Sequence, residues 1–216
     1  GTNNTAIGRT ALFANTTGAS NVAVGAFALD ANTTANNNTA IGKSALGANT
    51  TGSDNVALGG NALNVNTTGT SNTAVGYNAL LSATTANVNA AFGRETLTDN
   101  TTGSQNTAFG TQSLQNNTTA DNNTACGFRA LRLNTTGTFN VAIGALALDA
   151  NTTASSNVAV GYNSLGLNTT GAGLVGIGKD ALAANTTGNH NTAVGVDALT
   201  SNTTASDNTA VGQNAL

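Results

Sequence analysis

Asn21-Val22-Ala23-Val24-Gly25-Ala26-Phe27-Ala28-Leu29-Asp30-Ala31-Asn32-Thr33-Thr34-Ala35-Asn36-Asn37 is followed at Asn38 by a new copy of itself, and a copy begins every 17 residues from Asn4 to Asn208. The chain of 216 residues holds 12 full copies and a nine-residue partial one, with Gly1 to Asn3 in front. A fixed short period is the signature of a solenoid, in which each repeat packs on its neighbours and the body grows in one dimension. The chain therefore reads as a single continuous array over residues 1–216. It begins and ends in mid-repeat, uncapped at both ends, as expected of a piece of a longer array or of a unit whose ends are covered by something else.

Counting the first Asn of each copy as position 1, Gly stands at position 5 in all 13 copies, beginning with Gly8, Gly25 and Gly42. Leu stands at position 9 in all 13, beginning with Leu12, Leu29 and Leu46. Position 12 is Asn in 11 of 12 copies (Asn15, Asn32 and Asn49 lead the column, Ala83 breaks it), and positions 13 and 14 are Thr-Thr in all 12, as in Thr16-Thr17. Position 3 is Ala in 12 of 13 and position 1 is Asn in 12 of 13; Gly176 and Leu174, in one copy, are the exceptions.

Positions 1 to 4 alternate polar and apolar with β-branched residues at 2 and 4, which is strand chemistry. Positions 2 and 4 point to one face and the Ala of position 3 to the other. Gly at 5 predicts a corner of positive φ or close backbone approach. Asn-Thr-Thr at 12–14 reads as a second strand edge and turn, and no 3.6-residue apolar stripe argues for helix. The fold class is all-β: a parallel β-solenoid or β-roll of 17-residue coils. Like residues then form columns about 4.8 Å apart, allowing Asn amide ladders and Thr hydroxyl ladders, and a rod on the order of 60 Å long.

All 15 charged residues fall at the variable positions 6, 7, 10, 11, 16 and 17, so the fixed columns are read as core and the variable ones as rim. The core looks thin. Taking positions 4 and 9 as its two large apolar side chains, each coil gains about 1.5–3 kcal/mol per buried side chain against about 1–2 kcal/mol of ordering cost per residue. The Ala column at position 3 then predicts a smooth face for another copy of the chain and symmetric self-assembly, with a copy number that this arithmetic does not set.

Composition excludes several classes. Net charge is −3 with no basic stripe, against a nucleic-acid partner, and no apolar run is long enough for a membrane span. His190, Glu95 and Cys126 are each the only residue of their kind, so no catalytic, metal or cofactor site is expected. His190 reads as a solvated loop residue and Cys126 as a small buried hydrophobe. Asn-Thr-Thr is also an N-glycosylation sequon, but a ladder amide inside the coil leaves no room for a glycan.

The units Asn72-Thr73-Ala74-Val75-Gly76-Tyr77-Asn78-Ala79-Leu80 and Asn191-Thr192-Ala193-Val194-Gly195-Val196-Asp197-Ala198-Leu199 resemble repeats of bacteriophage-type tail-fibre proteins found upstream of endosialidase-type intramolecular chaperone domains. More distantly, the Ala-Val/Ile-Gly core is similar to the head repeats of trimeric autotransporter adhesins, whose unit is shorter. The resemblance implies a homotrimeric fibre segment, extracellular or on a virion surface. The function expected is a rigid shaft or filament segment, with units stacking end to end. Two other classes are carried: an ice-binding β-solenoid, from its Thr columns, and a carbohydrate-binding adhesive stalk that would hold a surface glycan on Tyr77, Phe128 and Tyr162.

Overall fold

A computed structural model describes all 216 residues. The chain is a parallel β-solenoid of about 12 coils with no helix, and it divides into two compact units, Gly1–Asn106 and Thr107–Leu216. The first unit carries six three-residue strands, from β1 (Thr5–Ile7) to β6 (Ala90–Phe92), and the second carries seven, from β7 (Thr107–Phe109) to β13 (Thr209–Val211). Within each unit every strand pairs in parallel with the next in sequence, at an offset of one repeat: Thr5 opposite Val22, Ala6 opposite Ala23, Ile7 opposite Val24. Only repeat positions 2 to 4 form strand. The Asn-Thr-Thr segment stacks coil on coil without becoming a second strand.

The coil closes on a single carbonyl. In the third coil Asn38 (position 1) and Asn49 (position 12) both donate an Nδ2 hydrogen to the oxygen of Gly52 (position 15), each at 2.9 Å. The two amides also reach along the axis. Asn38 Oδ1 accepts the backbone N–H of Asn55 at 3.0 Å, and Asn49 Nδ2 donates to Asn32 Oδ1 at 3.2 Å. Away from the chain ends both Asn columns are buried, and these bonds satisfy them except at Asn66 Oδ1. The Thr ladder takes another form than hydroxyl on hydroxyl. Thr33 Oγ1 and the Thr33 N–H both donate to the carbonyl of Thr50, at 3.1 Å each, and the pattern repeats along the column.

The interior differs from the sequence reading at one column. Ala23, Ala40, Ala57, Ala74 and Ala91 at position 3 are fully buried, together with the position-8 Ala and position-9 Leu residues of the coils between the two ends. Positions 2 and 4 face outward: Ile7, Leu58, Phe109, Ile143 and Val211 at position 4 are all exposed. The alternation of faces is as expected, but inside and outside are exchanged. A 17-residue coil is so narrow that a strand pointing inward opposite Leu has room for one Cβ, which Ala supplies. The Ala column is therefore the chain's own core and is closed to any partner, and Cys126 is exposed rather than buried. Leu174, in the Asn column, is buried, and its N–H still donates to Asn157 Oδ1 at 2.9 Å.

Four residues of a typical coil lie at positive φ: position 5, always Gly, and positions 7, 9 and 17. At Gly110, φ is +120° and a Cβ would meet the carbonyl oxygen of Gly127 at 2.6 Å, so both conformation and contact exclude a side chain. Position 9 is the surprise. Every Leu of this column from Leu12 to Leu199 sits near φ +50°, where an L-residue pays about 1–2 kcal/mol and a β-branched one more. This explains why the column is Leu throughout and never Val or Ile. Position 17 is less selective: Val88, exposed at φ +57°, is a β-branched residue in the same region.

Three substitutions test this account by chemical denaturation. Leu148→Ile conserves volume yet should cost more than ~2 kcal/mol, whereas Leu148→Met should stay under ~1.5 kcal/mol; equal costs would remove the left-handed explanation. Gly110→Val should abolish cooperative unfolding of its unit. Ala83→Asn should do the opposite. Asn66 Oδ1 is buried with no partner because Ala83 offers no amide above it, and restoring Asn should add about 1–2 kcal/mol.

Candidate functional site

The scarce reactive groups do not converge. His190 Nδ1 lies 3.5 Å from Asp207 Oδ1, one coil away in the position-17 column, with both side chains largely in solvent. Glu95 is held by Arg94 at 2.6 Å. Cys126 stands apart on the outer face of its strand. No group of three His, Cys, Asp or Glu residues is placed to hold a metal ion. A notch of about 190 Å³ at the last coil, lined by Leu199, Thr200, Asn202, Asn214 and Ala215 among others, gathers no reactive pair.

Charge is arranged along the rim in short ladders. Arg132 clamps Asp149, one coil on at position 10, through Nε at 2.8 Å and a second nitrogen at 3.3 Å, a bidentate geometry with both side chains only about a fifth exposed. The Arg9 guanidinium stacks 4.4 Å from the Phe27 ring centre. The hydrogen bond that Lys179 donates to Asp180, the charge of Asp180, and that of Asp197 hold the Lys179 ammonium above its ordinary range. Partial desolvation pushes the Asp99 carboxyl up.

What remains is surface, and it has three parts. The first is the sheet's outer face, two columns wide, with Thr, Val or Ala at position 2 and an apolar residue or Cys126 at position 4. No charged residue stands in either column. The second is the position-14 column from Thr17 to Thr204, exposed in every coil; Thr16 and its column-mates at position 13 spend their hydroxyls on the neighbouring coil, while the position-14 residues face solvent. The third is position 6, where Tyr77, Phe128 and Tyr162 are each about half exposed; Tyr77 belongs to the first unit and the other two to the second.

The sequon asparagines Asn32 and Asn49 are fully buried with Nδ2 engaged in the coil closure, so the folded chain withholds those nitrogens from glycosylation. The outer face of the sheet was missed as a surface because its apolar side chains were read as core. The signal for it was the width of the coil, which cannot enclose both a position-4 Phe and a position-9 Leu.

Cys126 gives a direct check. In dilute, folded chain it should react with a thiol reagent at the rate of an exposed thiol. In a Cys126→Ala background, Leu131→Cys should react only after unfolding. Protection of Cys126 in a chain shown to be monomeric would return position 4 to the interior.

No family model matches the chain, and neither the curated proteins nor the solved structures yield a match.

Proposed function

We propose that the chain is a structural protein: a rigid shaft or filament segment of an extracellular or virion-surface fibre that self-associates, as a homotrimer on the resemblance to tail-fibre and adhesin repeats. The observation that carries this reading is where the invariant residues go. Gly at 5, Leu at 9, Asn at 1 and 12 and Ala at 3 are consumed in closing each coil and joining it to the next. The residues that vary form the rim. A chain that commits its repeated chemistry to stacking, and brings no reactive groups together, is organised to hold distance and stiffness rather than to transform a substrate.

Electron micrographs of the purified chain should show straight rods of uniform width, and mass measurement should give a multiple of one chain. Compact or flexible particles would sink the shaft reading. A second reading has one observation in its favour: the position-14 Thr column presents a regular row of solvent-facing hydroxyls, suited to ordering water. Thermal hysteresis lost on replacing Thr51, Thr68 and Thr85 by Lys would establish ice binding. Its absence in the parent chain would discard that reading.

A further inference from the structure

A parallel sheet is almost always covered on both faces, because its strands are apolar on both. Here one face is covered by the coil's own Leu column and the other by nothing. On the open face Ile41, Leu58, Phe109, Ile143 and Ile177 are each exposed by 38–43%. At roughly 100 Å² of such surface per coil, six or seven coils bring each unit near the ~800 Å² per partner of a standard interface, beyond the ~300–600 Å² patch of an ordinary monomer. The face is largely β-branched, and its repeat from coil to coil is matched by a surface with the same repeat. A second copy of the chain is such a surface.

The two edges of the face differ in sign. Every charged residue at position 6, the edge after the strand, is basic: Arg9, Lys43, Arg94 and Lys179. Every Asp, Glu, Lys or Arg at positions 16 and 17, the edge before it, is acidic: Asp54, Asp121 and Asp207. Glu95 and Asp180 at position 7 pair with Arg94 and Lys179, and His190 lies beside Asp207, so Arg9 and Lys43 carry most of the basic bias, while Asp54 on the acidic edge accepts a hydrogen bond from Asn37. Rotation about an axis parallel to the solenoid brings the position-6 edge of one copy against the position-17 edge of the next, whether the symmetry is two-fold or three-fold. Rotation about an axis along the strands sets like edges together, basic on basic and acidic on acidic.

The geometry points to self-association through the outer columns at positions 2 and 4, with all copies running in the same direction. This rests on the self-associating reading above, and it replaces the buried Ala column with a surface the chain leaves open.

The test uses the full chain in two arms. In the first, Ile41→Lys, Val75→Lys, Ile143→Lys and Ile177→Lys are combined, all on outward positions two coils apart within a unit. Sedimentation should fall from a multimer to one chain, with an unchanged circular dichroism spectrum. A multimer that survives these changes overturns the sheet-face assignment while leaving the shaft reading intact. A parent chain that is monomeric at high concentration overturns the inference as well, and rods in micrographs of that monomer would still support the shaft. In the second arm, Cys126 serves as a native probe, and Val24→Cys and Val211→Cys are each made in a Cys126→Ala background. Parallel packing predicts covalent dimers with a short bismaleimide at all three positions. Crosslinking confined to one of them indicates antiparallel packing and overturns the direction.

Discussion

A typical coil hangs on one carbonyl that accepts two side-chain amides. The oxygen of position 15 draws in Asn from the start of the strand and Asn from the far turn, and this pins the two ends of the coil to each other. Few side chains can do this. Asp lacks the donor, Gln is a methylene too long for a cavity this narrow, and Ser has one hydrogen to give where the position-12 amide gives two. The same amides accept or donate to the next coil, so closure and stacking are one network, and breaking a member leaves a buried polar group unpaired. Asn66 below Ala83 shows that cost: its Oδ1 is the one amide oxygen of the two columns buried without a partner.

That network explains how so slight a core suffices. Ala at 3 and 8 and Leu at 9 bury little apolar surface per coil, and Leu adds backbone strain at φ near +50°. The compensation lies in hydrogen bonds: nearly every turn of the chain sends N–H groups to carbonyls one repeat away. Side chains add to the same ledger, as when Thr33 donates twice to one carbonyl. The rim varies more freely because its bonds between coils are made by several residue types, as when Asn36 Oδ1 accepts the Ala19 N–H, Ser53 Oγ accepts the Asn36 N–H and Arg132 pairs with Asp149.

The period, the coil length, the Gly corner and the partition of charge were all legible in the sequence, because each leaves its own mark at a fixed position. Alternation at positions 1 to 4 also told correctly that 2 and 4 share a face opposite 3. It carried no information on which face was inside. Size was used to decide, and size misled: in a wide fold the bulky column is core, whereas in a 17-residue coil the interior admits Ala23 and rejects Phe109. The left-handed Leu was equally hidden, since Leu is not a residue that advertises positive φ. In hindsight its invariance, with no Ile or Val in 13 copies, was the trace of that constraint. The candidate interaction face followed the same error in reverse, and became visible only once the columns were turned over.

The direction of the inter-coil bonds bears on how such a chain meets force. They lie along the solenoid axis, so tension along that axis loads them one coil after another. A coil that peels away does not sever the molecule, because the backbone still links it to its neighbour. Seventeen residues drawn out span roughly 58 Å, against a rise of about 4.8 Å while stacked. Each yielding coil thus releases on the order of 50 Å of slack and can re-form when the load drops. Within a unit, such stacking would let the chain lengthen under load in 17-residue increments before any covalent bond is strained.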